Sequence, residues 1–234
     1  MSSDLRFEGG GNSAVLTVKP SSTARVMRLR VDHRTGAVVL TLPKRASRQK
    51  ALQWAAGQRD WVEATLAGMP ARTSIRNGGV VPLYGVPHVV EWLPGRPRLP
   101  IVEPGRISLG GPEETLELRL ARWLKQHART LLDRETREFA AKAGVAVSRV
   151  GIGDPSSRWG SCSSSGAIRY SWRLILAPEW VRRATVAHEV AHRVHMNHGP
   201  AFHGLVAELF EADPAPARRW LRLNGAALHR IGLV

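Results

Sequence analysis

Cysteine is almost missing from this chain: Cys162 is the single one in 234 residues. An intrachain disulfide is therefore impossible and a cysteine-built zinc site is excluded, so any metal must be held by histidine and carboxylate side chains. Cys162 sits in a Ser161–Ser165 run with no base that the sequence places beside it, which argues against a nucleophilic thiolate. Long apolar stretches are missing too. No run approaches the ~18 residues that a membrane span needs, and Met1 to Gly11 is polar and glycine-rich without the apolar core of a signal peptide. The expectation is a cytoplasmic protein with no membrane partner. Acidic residues are scarce, 19 against 34 basic ones, for a net charge of +15, and Arg supplies 29 of the basic residues. Such a field attracts nucleotides, nucleic acid or acidic polypeptides without saying which. The arginines are spread along the whole chain, from Arg25 to Arg222, so no single cluster marks a nucleic-acid site.

What is present begins with a 43% hydrophobic fraction, enough for a globular core in one domain or two small ones. Residues 188 to 198 read His-Glu-Val-Ala-His-Arg-Val-His-Met-Asn-His. Pro178 and Glu179 suit the first turn of a helix, and Trp180, Val181, Ala184, Ala187 and Ala191 recur at helical spacing through Arg193. On that helix His188 and His192 leave one face a turn apart and can grip a single ion, with Glu189 beside it to move a proton. The same pattern arises by chance on amphipathic helices, so the context has to decide.

A catalytic zinc site takes three protein ligands, and three candidates follow the motif. His195 continues the helical stripe but lies ~10 Å along the axis from His188, too far for one ion. His198 serves if the helix stops first, and Asn197-His198-Gly199-Pro200 holds residues that stop helices. A downstream carboxylate, Glu208 or Glu211, is the third possibility. His203 is expected on the surface of the next helix.

Along the chain, Met27, Leu29 and Val31 alternate with polar residues, Asp32 to Gly36 turns, and Val38, Leu40 and Leu42 alternate again, which predicts a β-hairpin. Ser47 to Leu66 reads as one helix, ended by Gly68, with Trp54 and Trp61 on its core face. Strands are expected at Val80–Tyr84 and Val86–Trp92, then a loop or linker from Pro94 to Pro104 and a break at Gly110-Gly111-Pro112. A long helix follows through Leu116, Leu120, Leu124, Ala128 and Leu131 to Lys142 and Gly144. Val145–Ile152 and Ala167–Leu176 are expected to form a hairpin just before the metal helix, and helices at Pro200–Glu211 and Pro214–Arg230 complete the chain. A sheet edge beside the metal could pair with an extended substrate. The fold class is α+β, with a β-rich region 1–110 carrying one helix and a metal-dependent hydrolase domain 111–234.

Ser157-Arg158-Trp159-Gly160-Ser161-Cys162-Ser163, Tyr170 to Leu174, Leu176-Ala177-Pro178 and the run from His188 through Asn197-His198-Gly199-Pro200-Ala201-Phe202 resemble the YgjP-like metallopeptidases, relatives of the WLM and SprT domains. Pro82-Leu83-Tyr84-Gly85 resembles that family's short β segment. The resemblance implies a minimal zincin-like domain with one Zn²⁺ on His188, His192 and His198, and Glu189 as the catalytic carboxylate. It also places Arg158 to Cys162 near the metal, where Arg158 binds substrate or stabilises an oxyanion, or else joins Trp159 in holding the hairpin to the metal helix. The reaction expected is hydrolysis of a polypeptide by metal-activated water with Glu189 as general base. Two alternatives stand beside it. One is a metal-dependent nucleotide or phosphoanhydride hydrolase; the other is a basic nucleic-acid-associated protein with a structural metal, since SprT and WLM domains are linked to DNA-bound protein substrates.

Overall fold

The computed structural model describes residues 5–232. The chain is mixed α+β and divides into two compact units, the first ending at Ala71 and the second beginning at Arg72.

In the first unit β1 (Arg6–Gly9) and β2 (Asn12–Val15) form a hairpin. β3 (Thr17–Ser21) runs parallel to β5 (Val38–Pro43), and β4 (Arg28–Val31) pairs with β5 on its other side, antiparallel. The β4–β5 hairpin is the one expected, and the strict alternation of β5 buries Val38, Leu40 and Leu42. The expected single helix is two, α1 (Arg48–Ala56), capped by the Ser47 hydroxyl, and α2 (Arg59–Ala67). The stripe they bury runs one residue away from the tryptophans, through Ala51, Ala55, Val62 and Leu66. Trp54 and Trp61 are left 38% and 49% exposed, so the expectation that they are core residues fails.

The second unit opens with a four-stranded sheet in the order β6-β7-β9-β8: β6 (Val80–Leu83), β7 (Val86–Trp92), β8 (Ile101–Glu103) and β9 (Arg106–Leu109). β7 and β9 are parallel and the other pairs antiparallel. The stretch read as a linker thus contains a strand, and the boundary expected near 110 meets continuous packing instead. Val81, Leu83, Val90, Ile107 and Leu109 share one core with Leu116, Leu120 and Leu124 of α3 (Leu116–Lys142). Gly110 is a close approach, not a hinge: its N–H donates to the Pro97 carbonyl at 2.8 Å, and a Cβ there would lie 2.7 Å from the Arg96 carbonyl carbon.

The β6–β7 connection has two residues, Tyr84 and Gly85, both at positive φ (56° and 78°), as a type I′ turn requires. Their N–H groups donate to Ile175 O at 2.7 Å and Leu176 O at 3.1 Å, which seats the hairpin tip on the segment that leads into the helix bearing His188.

After α3 come β10 (Arg149–Gly153), β11 (Gly160–Cys162) and β12 (Ala167–Ser171), in the order β10-β12-β11. The expected hairpin is corrected here. β10 and β12 are parallel, because the intervening chain crosses over and returns as β11, which takes the antiparallel place beside β12. Residues Trp172–Leu176, read as a continuation of the strand, form a 3₁₀ turn. Then follow α4 (Glu179–Ala191), α5 (Pro200–Phe210) and α6 (Ala215–His229), close to the bounds expected. Arg173, fully buried, ties these pieces together. Its guanidinium donates to both Asp154 oxygens (2.7 and 3.1 Å) and to the Leu228 and Ile231 carbonyls (2.7 Å each).

Candidate active site

α4 buries Val181, Val186, Ala187, Val190 and Ala191 against the core, which turns His188 and Glu189 toward the β11 side of the unit. The helix ends with His192 as its C-cap, and Arg193, Val194 and His195 hydrogen-bond back onto Val190 and Ala191 in a tightening turn. That stop lets the chain reverse before Pro200 opens α5, and it carries His198 back over His188 and His192.

The three imidazoles converge. Their ring centroids lie 4.7 to 5.1 Å apart, and one nitrogen from each falls within 4.8 Å of the others. His188 Nε2 and His198 Nε2 are separated by 3.3 Å. Two ligands at ~2.0–2.1 Å on a tetrahedral Zn²⁺ stand roughly 3.3 Å apart. Burial, reinforced by His192 and His198, lowers the His188 pKa to about 4, and burial also lowers that of His192, so both rings keep a free lone pair at neutral pH. His192 Nδ1 donates to the His195 carbonyl at 3.2 Å, which fixes the tautomer and leaves Nε2 for the ion. The donor set therefore fits Zn²⁺.

The other candidates lie elsewhere. His195 contributes its backbone carbonyl and not its ring. Glu208 is exposed on α5, as is His203, and Glu211 receives the Lys142 ammonium at 2.7 Å. Among the described residues His188, His192 and His198 form the group able to hold a metal.

Phe202, the first large apolar residue of α5, is fully buried, and its ring lies 4.5 to 4.9 Å from all three imidazole rings. It forms an apolar floor beneath them. The Gly199-Pro200-Ala201-Phe202 run was legible as a helix start, whereas this role needed the fold.

Glu189 is 5% exposed, and burial raises its pKa to about 7, opposed by the Arg158 charge. A carboxyl group poised there can both accept and return a proton near neutral pH. Gly160 of β11 lies directly against it, with room for no side chain: a Cβ would overlap Oε1 and fall 2.6 Å from Cγ. The sequence offered Gly160 only as a letter of a motif.

β11 is an edge strand. Trp159 O accepts from Ser171 N at 2.8 Å and Ser163 N donates to Ala167 O at 2.9 Å, so the odd-numbered residues face β12. By antiparallel alternation Gly160 and Cys162 direct their N–H and C=O groups to the open edge, beside Glu189. Trp159 stacks on His229 of α6 at 4.7 Å, with Gly225 making room for its ring. Its stacking thus ties the start of β11 to α6, not to α4. Arg158 is exposed at the mouth of a cleft of about 250 Å³ that also includes His188, Glu189 and Arg218.

No helix among the described residues is long and apolar enough to cross a membrane. Neither a curated protein nor a solved structure matches the chain. A family model, YgjP-like metallopeptidase domain, matches residues 25–224, which include every residue of the histidine cluster, Glu189 and the β11 edge, and this chain belongs to that family.

Proposed function

We propose that this protein is a zinc-dependent peptidase whose catalytic carboxylate is Glu189 and whose metal, one ion per chain, is held by His188, His192 and His198. The observation that carries the reading is the placement of Glu189: buried, with its pKa raised to about 7, in one cleft with His188 of the converging imidazoles and against Gly160 of an edge strand. Zn²⁺ in that position supplies Lewis-acid polarisation of a carbonyl oxygen and makes water more acidic. Glu189 takes the proton of the attacking water and passes it to the leaving amine, which its near-neutral pKa permits in both directions. The backbone N–H and C=O groups of Gly160 and Cys162 pair with an extended peptide and align its scissile bond over Glu189. The His195 carbonyl keeps the His192 ring in register throughout. Arg158 stands at the cleft to meet negative charge on the substrate or on a developing oxyanion.

The test is zinc content by elemental analysis together with cleavage of casein and of an internally quenched peptide library, for the parent and for Glu189→Gln. The peptidase reading expects near-stoichiometric zinc in both and cleavage by the parent alone. Phosphate release from nucleotides with no peptide cleavage would establish the phosphohydrolase alternative. Salt-dependent DNA binding without hydrolysis of either substrate would establish the nucleic-acid-binding alternative.

A further inference from the structure

The cleft beside Glu189 is built from four elements. The approach to β11 and its first residue provide Arg158, Trp159 and Gly160; α4 provides His188 and Glu189; α5 provides Val206; α6 provides Ala217, Arg218 and Leu221. Its surface is mostly apolar, yet two guanidinium groups from distant parts of the chain border it. Several arginines of this protein are matched with carboxylates, as in Arg59–Glu63 (2.6 Å), Arg137–Asp133 (2.8 Å) and Arg183–Glu138 (2.5 Å). Among the described residues neither the Arg158 nor the Arg218 side chain forms such a pair or a side-chain hydrogen bond, and Glu189 is the one acidic residue lining the cleft. Glu189 is turned toward Gly160 and shares the cleft with His188. Two cations therefore border a half-enclosed, apolar-walled space in which Glu189, the reacting carboxylate, is the one acidic group, so the cleft carries more positive than negative charge. Guanidinium groups suit carboxylates by geometry as well as charge, and the reduced dielectric of a cleft strengthens the pairing.

We propose that this cleft is a carboxylate-recognising subsite in which Arg218, together with Arg158, selects peptides bearing a carboxylate next to the scissile bond. The inference rests on the peptidase reading of the same site and extends it to substrate class. The carboxylate comes from an Asp or Glu side chain or from the free C-terminus of the substrate. The apolar stem of that residue lies against Trp159, Ala217 and Leu221. Arg218 acts here as a specificity residue, distinct from the proton-transfer machinery.

The test uses fluorescence anisotropy with the zinc-loaded, full-length Glu189→Gln protein, at about 0.15 M salt to screen the general positive charge. Three probes are compared: a short neutral peptide blocked at both ends, the same peptide with one Gln replaced by Glu, and the neutral peptide with its C-terminal carboxylate free. One charged probe is expected to bind roughly tenfold more tightly than the neutral one, and which of them does so identifies the source of the carboxylate. Arg218→Gln, added to this protein, abolishes most of that preference, while Arg219→Gln, the same loss of charge one residue along α6 and outside the cleft lining, leaves it intact. Equal binding of all three probes, or a preference unchanged by Arg218→Gln, overturns the proposal. Cleavage of the same probes by the parent is read separately. Cleavage without charge preference overturns the subsite and leaves the peptidase reading standing; a binding preference without cleavage does the reverse.

Discussion

Gly160 and Glu189 touch so closely that the Glu189 carboxylate has the place a side chain at 160 would need, with a Cβ falling 2.6 Å from Glu189 Cγ and 2.7 Å from Cδ. The contact sets where Glu189 can point. Gly160→Ala must therefore push that carboxylate aside without touching any imidazole. Displacing a catalytic group by about 1 Å costs on the order of 10²-fold in rate. The expected outcome is a fall in kcat of that order with zinc content unchanged; full activity in Gly160→Ala would show that Glu189 is not the proton carrier.

The histidines divide by what they contribute. Replacing His188, His192 or His198 by Ala removes one of the three proposed ligands and is expected to lower zinc affinity by orders of magnitude. His195→Ala keeps the carbonyl that His192 uses and is expected to retain its zinc. Glu208→Ala and Glu211→Ala are expected to retain it as well, since both carboxylates lie away from the cluster. Elemental analysis of the six purified variants decides this, and zinc loss in Glu208→Ala would reassign the third ligand.

Phe202 supports all three imidazoles from a fully buried position. Phe202→Ala is expected to cost about 3–5 kcal/mol of stability, read from guanidinium denaturation of the metal-free protein. It should also weaken zinc binding by more than Leu209→Ala does, a core truncation of the same helix outside the cleft lining. Equal effects on zinc would reduce Phe202 to ordinary core packing.

α3 and α4 are joined by a buried ion pair. Arg182 Nε and Nη2 donate to the Glu135 carboxylate at 2.9 to 3.1 Å, with both side chains 3% exposed. Removing one partner strands the other charge, so Glu135→Ala is expected to destabilise by about 3–5 kcal/mol, whereas joint replacement by Arg182→Met and Glu135→Leu costs much less. Denaturation midpoints of the single and double variants check it, and similar losses in both would mean that the pair contributes more than its own cancellation.

His127 sets an acid limit. It stacks on Trp123 at 4.9 Å and hydrogen-bonds the Tyr84 hydroxyl, and its pKa is lowered from 6.5 by burial first and then by Arg182 and Arg134. A depressed histidine stays neutral in the folded state while the unfolded chain takes up a proton. Its contribution is complete above pH 6.5 and is lost as pH falls below that value toward the lower folded-state pKa. Thermal midpoints at about pH 7.5 and about pH 5.5 should fall further in the parent than in His127→Gln. Equal falls would place the acid sensitivity at other groups.

The local chemistry was legible in the chain. The i, i+4 spacing of His188 and His192, the helix-stopping Asn197 to Pro200 and the alternation of Val38, Leu40 and Leu42 are statements about neighbours in sequence, and local backbone geometry turns them directly into structure. Where the period was right and the partner unknown, expectation failed. Trp54 and Trp61 keep a helical spacing, but the buried stripe is chosen by the surface the helices pack on, and it passes one residue away. β10 and β12 looked like a hairpin because nothing local distinguishes a turn from a crossover that holds β11.

The sequence by itself determined that metal, if bound, is held by histidine and carboxylate side chains and not by cysteine, that His188, His192 and Glu189 share a helix, and that the chain can reverse at Gly199. Only the tertiary structure decided the rest: the return of His198 to 3.3 Å from His188, the seat of Glu189 against Gly160, and the meeting of Arg158 with Arg218 around one cleft. Those contacts join residues from separate elements. Their distances follow from how strands and helices pack into a common core, which no local pattern encodes.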